Sequence, residues 1–160
     1  MDEPNQISLD FDQLRLVPLA KEHLPVLLPV EHEAYPDPWT QGMFLQEIKN
    51  GPSHFYLAFH GEDLVAYGGY WLILDEMHIT KITVAQPYRG SGLGVAFMDF
   101  LERHGRALGG IVIRLEVRAG SIAARKLYAR AGFAEIGVRK RYYAASGEDA
   151  VVMAKEIGGA

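Results

Sequence analysis

The chain has 160 residues, of which 49% are apolar, with a formal net charge of −4 and no cysteine. This length predicts about one domain with its own core, and the missing cysteines exclude disulfides, thiolate metal sites and a cysteine nucleophile. The negative charge argues against general nucleic-acid binding, and the longest apolar run, residues 65–74, is shorter than the ~18 residues of a membrane span.

The spacing of apolar and turn-forming residues predicts alternating helices and strands along the chain. Helices are expected at residues 21–32, 41–49, 92–108 and 121–131, and strands at residues 14–19, 54–59, 64–74, 77–84, 111–118, 133–143 and 150–157. Thr40 is expected to cap the second helix. Residues 1–12 are expected to be a flexible segment, residues 13–157 a single domain and residues 158–160 a tail.

The strand 77–84, the glycine-rich turn after it, the helix 92–108 and the strand 111–118 together form a βαβ unit in an otherwise antiparallel chain. The fold class is therefore α/β with a mixed, mostly antiparallel sheet and helices on both faces. Apolar residues of strand 77–84 fall at positions 77 and 79 and then at 82 and 84. This slip indicates a β-bulge, which would splay the central strands and open a ligand-binding gap.

The turn after Val84 contains Arg89, Gly90, Ser91, Gly92, Leu93 and Gly94 and leads into a helix. Three alternating glycines leave backbone N–H groups uncovered, and the helix N-terminus adds unpaired donors and a partial positive charge. Such a turn suits an anion, above all a phosphate. The glycine spacing fits neither the Rossmann fingerprint nor a Walker A loop, so a plain strand-to-helix turn is the alternative.

Arg89-x-x-Gly92-x-Gly94 after a strand resembles the pyrophosphate loop of the GNAT acetyltransferases, which bind acetyl-CoA. The similarity covers residues 33–157, and its longer pattern is similar to RimI-type enzymes, which acetylate the N-terminal amine of a ribosomal protein. Further motifs that carry it are Leu115-Glu116-Val117-Arg118, Ala124-Arg125-Lys126-Leu127-Tyr128, Ala131-Gly132-Phe133 and Arg141-Tyr142-Tyr143. The resemblance implies the GNAT fold and acetyl-CoA as co-substrate.

The resemblance also implies which residues bind the cofactor. These are Ile82, Thr83, Val84, Arg89, Gly90, Ser91, Gly92, Leu93, Gly94, Ser121 and Tyr128. Two positions depart from the family pattern. Gly120-Ser121 stands where Ser-Asn is usual, so that Ser121 contacts the cofactor less well or only caps a helix. Lys81 stands where asparagine is frequent, so that its cation alters the amine pocket or points away.

Glu116 and Tyr128 are the catalytic candidates. Glu116 lies on the polar face of strand 111–118, which by itself is typical of a solvated side chain, and Tyr128 lies on a helical stripe that by itself indicates core packing. The resemblance implies instead that Glu116 is the general base and Tyr128 the general acid. An α-amine titrates near ~8 and is partly neutral at neutral pH, so a modest base suffices.

The resemblance implies an enzyme that acetylates the N-terminal amine of a protein, above all a ribosomal protein. The missing cysteine favours direct attack in a ternary complex. Tyr35, Pro36, Tyr142 and Tyr143 resemble the loops that flank the peptide N-terminus in such enzymes, although ordinary aromatic packing explains them equally well. The alternatives are acetylation of a lysine side chain or small polyamine, and a CoA-binding module without catalysis. The acidic start Met1-Asp2-Glu3-Pro4 lacks signal-peptide features, so we expect a cytoplasmic monomer or weak dimer without bound metal.

Overall fold

The computed structural model describes residues 9–158 and contains, within them, four helices and seven strands. The helices are α1 (Leu24–Ala34), α2 (Gln41–Lys49), α3 (Leu93–Ala107) and α4 (Ile122–Arg130). The strands are β1 (Arg15–Pro18), β2 (Ser53–His60), β3 (Asp63–Ile73), β4 (Glu76–Val84), β5 (Val112–Arg118), β6 (Ala134–Tyr143) and β7 (Glu148–Glu156). Each predicted element is confirmed. The largest shift is at the start of α1, because Lys21–His23 form a 3-10 turn.

The strands are ordered β1-β2-β3-β4-β5-β7-β6 in a seven-stranded mixed sheet. β4 and β5 form the parallel pair, in which Glu76, Met77 and His78 pair with Val112, Ile113 and Arg114. β5 pairs antiparallel with β7, and β7 pairs antiparallel with β6. The predicted mixed sheet with one βαβ unit is thus confirmed, whereas the splay of the central strands stays a prediction.

The described residues divide into two compact units. The first unit contains the residues up to Tyr70 together with Thr80–Arg103, and the second contains Trp71–Ile79 together with the residues from His104 onward. β3, β4 and α3 therefore contribute to both units. No helix within residues 9–158 combines the length and hydropathy needed to cross a membrane. The single domain over residues 13–157 stays a prediction.

The two predicted terminal segments fall mostly outside the described residues. Residues 1–8 of the expected flexible segment, and residues 159 and 160 of the expected tail, are not described. In the described part of the first segment, Phe11–Gln13 form a 3-10 turn. The Phe11 ring packs edge-on against Phe97, with a centroid distance of 6.1 Å, and this apolar contact fixes the turn.

The core of the first unit packs α1 and α2 against β2 and β3. Its buried members are Leu19, Leu24, Leu27, Phe44, Phe55, Leu57, Phe59, Leu64 and Tyr67. The Thr40 Oγ1 accepts a hydrogen bond of 3.2 Å from the backbone N–H of Met43, which confirms the predicted cap of α2. That cap places α2 immediately after the loop that carries Tyr35 and Pro36.

The second unit is organised around β5, whose side chains alternate as predicted. Ile113, Leu115 and Val117 are buried. Arg114, Glu116 and Arg118 fall on the opposite face and are half-buried. Because His78 pairs with Arg114 in the parallel register, its side chain shares the polar face of the sheet.

In β4, the buried side chains are those at odd-numbered positions. Met77, Ile79 and Thr83 are buried, and the side chain of Lys81 is 7% exposed. The slip inferred from the apolar pattern is therefore not seen in burial. It arises because a lysine and a threonine fill inward positions, while Ile82 and Val84 remain half-buried.

We expect Gly68→Ala to destabilise the protein. A Cβ on Gly68 would lie 2.3 Å from the carbonyl oxygen of Lys81 and 3.0 Å from the Cα of Ile82, so the backbone of β3 or β4 has to move. Overpacking of this kind costs about 1–3 kcal/mol, measurable by urea denaturation. Gly137→Ala on β6 is the matched control, since a Cβ there has no atom within 4 Å. Equal stability of the two variants would contradict this account of β3.

Candidate active site

The turn that the sequence predicts to bind an anion follows β4 and ends at α3. We call residues 89–94 the anion loop. A 3-10 turn, Gln86–Tyr88, precedes it, and α3 begins at Leu93. Gly90 and Gly92 have φ angles of 79° and 81°, which residues other than glycine rarely adopt. The two glycines thus bring the chain round so that the anion loop leads directly into the helix N-terminus.

The anion loop has the donors that a phosphate needs. The backbone N–H groups of the first turn of a helix have no intrahelical partner, and the helix dipole favours negative charge there. A Cβ on Gly92 would have no atom within 4 Å, and one on Gly94 would reach Val84 Cγ2 at 3.8 Å. The Ser91 hydroxyl donates 2.5 Å to the carbonyl of Tyr88, so this side chain tightens the loop.

Arg89 is held on both sides of its guanidinium. Its Nε donates 2.9 Å to the carbonyl oxygen of Val84, and its Nη2 lies 3.1 Å from Glu33 Oε2. Both side chains of the Arg89–Glu33 pair are about two-fifths exposed, and exposed pairs are weak. An arriving phosphate can therefore replace the Glu33 carboxylate, which makes the predicted role of Arg89 chemically feasible.

A second arrangement in the first unit surrounds Glu31, which is fully buried. We call Glu31, Lys81, Tyr35, Trp39 and Tyr67 the lysine cluster. Glu31 Oε2 lies 2.6 Å from Lys81 Nζ and accepts 2.8 Å from the backbone N–H of Trp39. Glu31 Oε1 accepts 2.6 Å from the Tyr67 hydroxyl. Both oxygens are satisfied, as a buried carboxylate requires.

The lysine cluster also places an ammonium against aromatic rings. Lys81 Nζ lies 3.9 Å from the ring centroid of Tyr35 and 4.5 Å from that of Trp39, within the range of cation–π attraction. Burial lowers the pKa of Lys81, although Glu31 and Asp37 oppose this. Lys81 thus bonds inward to Glu31 and stacks under Tyr35, so it supports the loop that carries Tyr35 and Pro36.

Tyr35 connects this loop to β4. Its hydroxyl lies 2.6 Å from Thr83 Oγ1 and donates 3.4 Å to the carbonyl oxygen of Ile82. Ile82 and Thr83 belong to the predicted cofactor-binding segment. The first unit therefore brings one predicted acceptor residue into contact with predicted cofactor residues.

In the second unit, Glu116 lies between a histidine and an arginine. We call His78, Glu116 and Arg139 the carboxylate cluster. Glu116 Oε2 lies 2.6 Å from His78 Nε2, and Oε1 lies 3.4 Å from Arg139 Nε. The Glu116 side chain is only 6% exposed. This burial excludes the alternative in which Glu116 is an ordinary solvated strand residue.

The carboxylate cluster keeps Glu116 ionised. Burial raises the pKa of Glu116, but the hydrogen bond from His78 and the charges of His78, Arg139 and Arg114 outweigh it, so the net pKa is lowered. One oxygen, Oε1, is buried without a hydrogen-bond partner within residues 9–158. Glu116 is thus a charged acceptor with unused capacity, although a lowered pKa makes it a weak proton acceptor.

A cavity of about 150 Å³ lies beside the carboxylate cluster. Its lining residues are Ile73, Glu76, Met77, His78, Arg114 and Arg139. The Trp71 ring stands edge-on to His78 with a centroid distance of 6.3 Å. Sequence reasoning missed His78, although the period of two in β4 and the parallel register with β5 would have placed it beside Glu116 on the polar face.

Tyr142 and Tyr143 follow Arg139 on β6, and their rings are perpendicular at 5.1 Å. Burial raises the pKa of Tyr143 to about 12, although Arg118, 4.0 Å from its ring centroid, opposes this. Burial and the charge of Glu116 raise the pKa of Tyr142. Both predicted acceptor tyrosines thus share the electrostatic environment of the predicted base, and both remain protonated at neutral pH.

Tyr128 lies on α4, where its ring packs against Phe133 at 5.7 Å. Burial raises the pKa of Tyr128, so the phenol keeps its proton at neutral pH. Ser121 occupies the N-cap position of α4 but makes no capping hydrogen bond. Instead, the backbone N–H of Gly120 donates 2.8 Å to Glu148 Oε2. The structure thus shows no side-chain cap from Ser121, and its role toward the cofactor stays a prediction.

The predicted site residues are distributed over both units. The first unit holds Tyr35, Pro36, Ile82, Thr83, Val84, Arg89, Gly90, Ser91, Gly92, Leu93 and Gly94, and the second holds Glu116, Ser121, Tyr128, Tyr142 and Tyr143. Within each unit the structure shows local arrangements that fit the predicted chemistry. The individual roles in binding and catalysis stay predictions.

We expect Lys81→Met to destabilise the protein strongly, because it leaves the Glu31 carboxylate buried without its cation. Breaking a buried pair from one side typically costs about 3–5 kcal/mol, which chemical denaturation measures directly. The matched control is Arg89→Met, which removes the exposed partner of Glu33 and should change stability by less than about 1 kcal/mol. Similar losses in both variants would contradict a structural role for the lysine cluster.

Comparison with known proteins agrees with this arrangement. The acetyltransferase (GNAT) family matches residues 24–133. The N-alpha-acetyltransferase RimI of Mycobacterium tuberculosis is 36% identical over 126 residues, which are 76% of this chain and 78% of that protein. The ribosomal protein bS18-alanine N-acetyltransferase of Escherichia coli is 32% identical over 136 residues, 84% of this chain and 91% of that protein.

Comparison of the fold with solved structures also finds an acetyltransferase. The crystal structure of the ribosomal-protein-S18-alanine N-acetyltransferase from Escherichia coli superposes with a TM-score of 0.83 at 30% identity, and the match covers 92% of this chain and 96% of that one. The family match spans most of the chain and includes both the anion loop and the strand that carries Glu116. The chain therefore belongs to the GNAT family of acetyltransferases.

Proposed function

We propose that this enzyme transfers the acetyl group of acetyl-CoA to the N-terminal amine of a ribosomal protein. The observation that carries the donor assignment is the anion loop, in which two left-handed glycines lead into the N-terminus of α3. The acceptor assignment is supported by relatives whose names specify the α-amine or the alanine of ribosomal protein bS18. GNAT acetyltransferases use acetyl-CoA as co-substrate.

The anion loop fits the diphosphate of CoA. The N–H groups of Gly92, Leu93 and Gly94 supply the donors, and Arg89 supplies the cation after it leaves Glu33. In the proposal, Ile82, Thr83 and Val84 line the acyl end, and the backbone N–H of Val84 donates to the thioester oxygen. When bound, acetyl-CoA supplies an activated acyl group.

In the proposal, residues of the second unit carry out the proton transfers of the reaction. The Glu116 carboxylate draws the proton away from the incoming amine, directly or through a neighbouring group, and Tyr128 donates one to the departing thiolate. The raised pKa of Tyr128 keeps its proton in place until then, although it makes the transfer more uphill. Because the chain has no cysteine to carry the acetyl group, the amine attacks directly in a ternary complex.

The lowered pKa of Glu116 favours an α-amine over a lysine or polyamine amine. A lysine side chain titrates near ~10.4 and an α-amine near ~8, so a lysine acceptor is almost wholly protonated at neutral pH. A weak base suffices only for an amine that is already partly neutral. The lowered pKa of Glu116 therefore supports the proposed α-amine acceptor over a lysine or polyamine. We place Tyr35, Pro36, Tyr142 and Tyr143 along the acceptor peptide, and the enzyme in the cytoplasm as a monomer or weak dimer.

We expect peptides with a free N-terminal alanine to be acetylated on the α-amine, since that amine is the one a weak base can use. Mass spectrometry with fragmentation after incubation with acetyl-CoA locates the added group. The control is the same peptide with a blocked N-terminus and an internal lysine. Comparable modification of that control, or of a free polyamine, would refute the α-amine assignment.

We expect Gly92→Ala to weaken acetyl-CoA binding at least tenfold, because the side chain is strained at positive φ and displaces the loop amides from the diphosphate. Titration calorimetry measures the affinity. Gly61→Ala is the matched control, since Gly61 also has a positive φ of 60° and open space for a Cβ but lies in the β2–β3 hairpin turn. Loss of affinity in both variants would show that general strain, and not the anion loop, is responsible.

We expect Glu116→Gln and Tyr128→Phe each to lower kcat about 10²-fold or more, the usual scale of acid–base catalysis, with acetyl-CoA affinity nearly unchanged. Steady-state kinetics and calorimetry give the two quantities separately. Glu135→Gln is the control, because Glu135 is exposed and pairs with Arg125. Wild-type turnover in either site variant would remove its catalytic role, whereas a wild-type protein that binds acetyl-CoA without any turnover would be a CoA-binding module.

A further inference from the structure

We propose that His78 takes the proton from the acceptor amine, and that Glu116 orients the imidazole for this task. The inference rests on the proposed function and assigns the role of general base within it to His78 in place of Glu116. It is carried by the 2.6 Å contact between His78 Nε2 and Glu116 Oε2 and by the difference in exposure of the two side chains.

The contact fixes which imidazole nitrogen can act. An ionised carboxylate can only accept hydrogen bonds, so Nε2 must carry the hydrogen that lies between it and Glu116. In the neutral ring, the lone pair then lies on Nδ1. Glu116 thus selects the tautomer whose other nitrogen is a proton acceptor, as the carboxylate of a catalytic triad does.

Accessibility separates the two groups. The side chain of Glu116 is 6% exposed, whereas that of His78 is 33% exposed. His78 also lines the cavity of about 150 Å³ next to the carboxylate cluster, and a water molecule occupies about 30 Å³ of liquid. An amine, or a water that relays its proton, can therefore approach His78 but not the buried Glu116.

The charges around His78 support this division of roles. From β5, Glu116 and Arg114 face it, from β6 Arg139, from β4 itself Glu76, and from β3 the uncharged Trp71. Burial raises the pKa of Glu116, but the hydrogen bond and charge of His78, together with the charges of Arg139 and Arg114, lower it overall, so the carboxylate is a poor proton acceptor. Arg114 is in turn paired with Glu76 at 3.4 Å. Glu116 remains charged and can stabilise the imidazolium that forms.

The proton balance is complete without a further reactant. As the C–N bond forms and the C–S bond breaks, the amine loses one proton to His78 Nδ1, and the thiolate gains one from Tyr128. His78 then releases its proton to solvent, and the Tyr128 phenolate takes one up. The products are the acetylated amine and CoA thiol.

His78→Gln tests the proposal, because a glutamine N–H can still bond Glu116 but has no titratable lone pair. We expect kcat at saturating peptide to fall about 10²–10³-fold and the pH profile of kcat to change. Acetyl-CoA affinity and thermal stability should remain those of the wild type. If glutamine preserves kcat and its pH profile, His78 is only a structural partner and the proposal is wrong.

Chemical rescue covers the case in which His78→Gln folds poorly. His78→Ala should regain at least tenfold in kcat with added imidazole, whereas pyrazole, which has the same size but is much less basic, should not restore it. Equal rescue by both azoles would show that filling space is sufficient and would overturn the proposal. A wild-type enzyme inactive on every α-amine peptide would instead refute the proposed function and this inference together.

Discussion

The structure depends on keeping a carboxylate charged where little water reaches it. Isolated, such a group is too costly and takes up a proton instead. Glu116 avoids this because His78 donates to one oxygen and Arg139 lies near the other. All three residues lie on one face of the sheet, because side chains alternate along β4, β5 and β6 and the register between the strands aligns them. The position of the carboxylate cluster is thus a consequence of strand register, and its chemistry is a consequence of its charge balance.

The lysine cluster also stabilises a buried carboxylate, but there the carboxylate has all its bonding partners within the protein. Glu31 is satisfied at both oxygens by Lys81, Trp39 and Tyr67, and nothing about it is left for a substrate. Glu116, in contrast, retains a buried oxygen without a hydrogen-bond partner among the described residues and touches a half-exposed histidine. A buried glutamate with complete bonding supports the fold, whereas one with incomplete bonding beside a cavity suits chemistry.

Local pattern was sufficient to predict much of this protein. The alternation in β5 placed Glu116 on the polar face, and the glycines after Val84 indicated the anion loop, because both signals depend on neighbours in the chain. The role of Glu116 as the base came from the family resemblance. The partners of Lys81 and His78 were not predicted. Glu31 lies 50 residues from Lys81, and Glu116 lies 38 residues from His78. Pairs of this kind arise from strand order and register, and the buried lysine also distorted the apolar pattern from which the slip in β4 was inferred.

In the proposed function, Tyr35 lies along the acceptor peptide. Its ring stacks on Lys81 and its hydroxyl contacts Thr83. These contacts within the chain hold the start of the loop that carries Tyr35 and Pro36. When a peptide binds against Tyr35, no binding free energy is lost to ordering that residue, because it is ordered beforehand. Selection among N-termini would then depend on how well each one fits a preformed surface, and not on an induced fit of the enzyme around it.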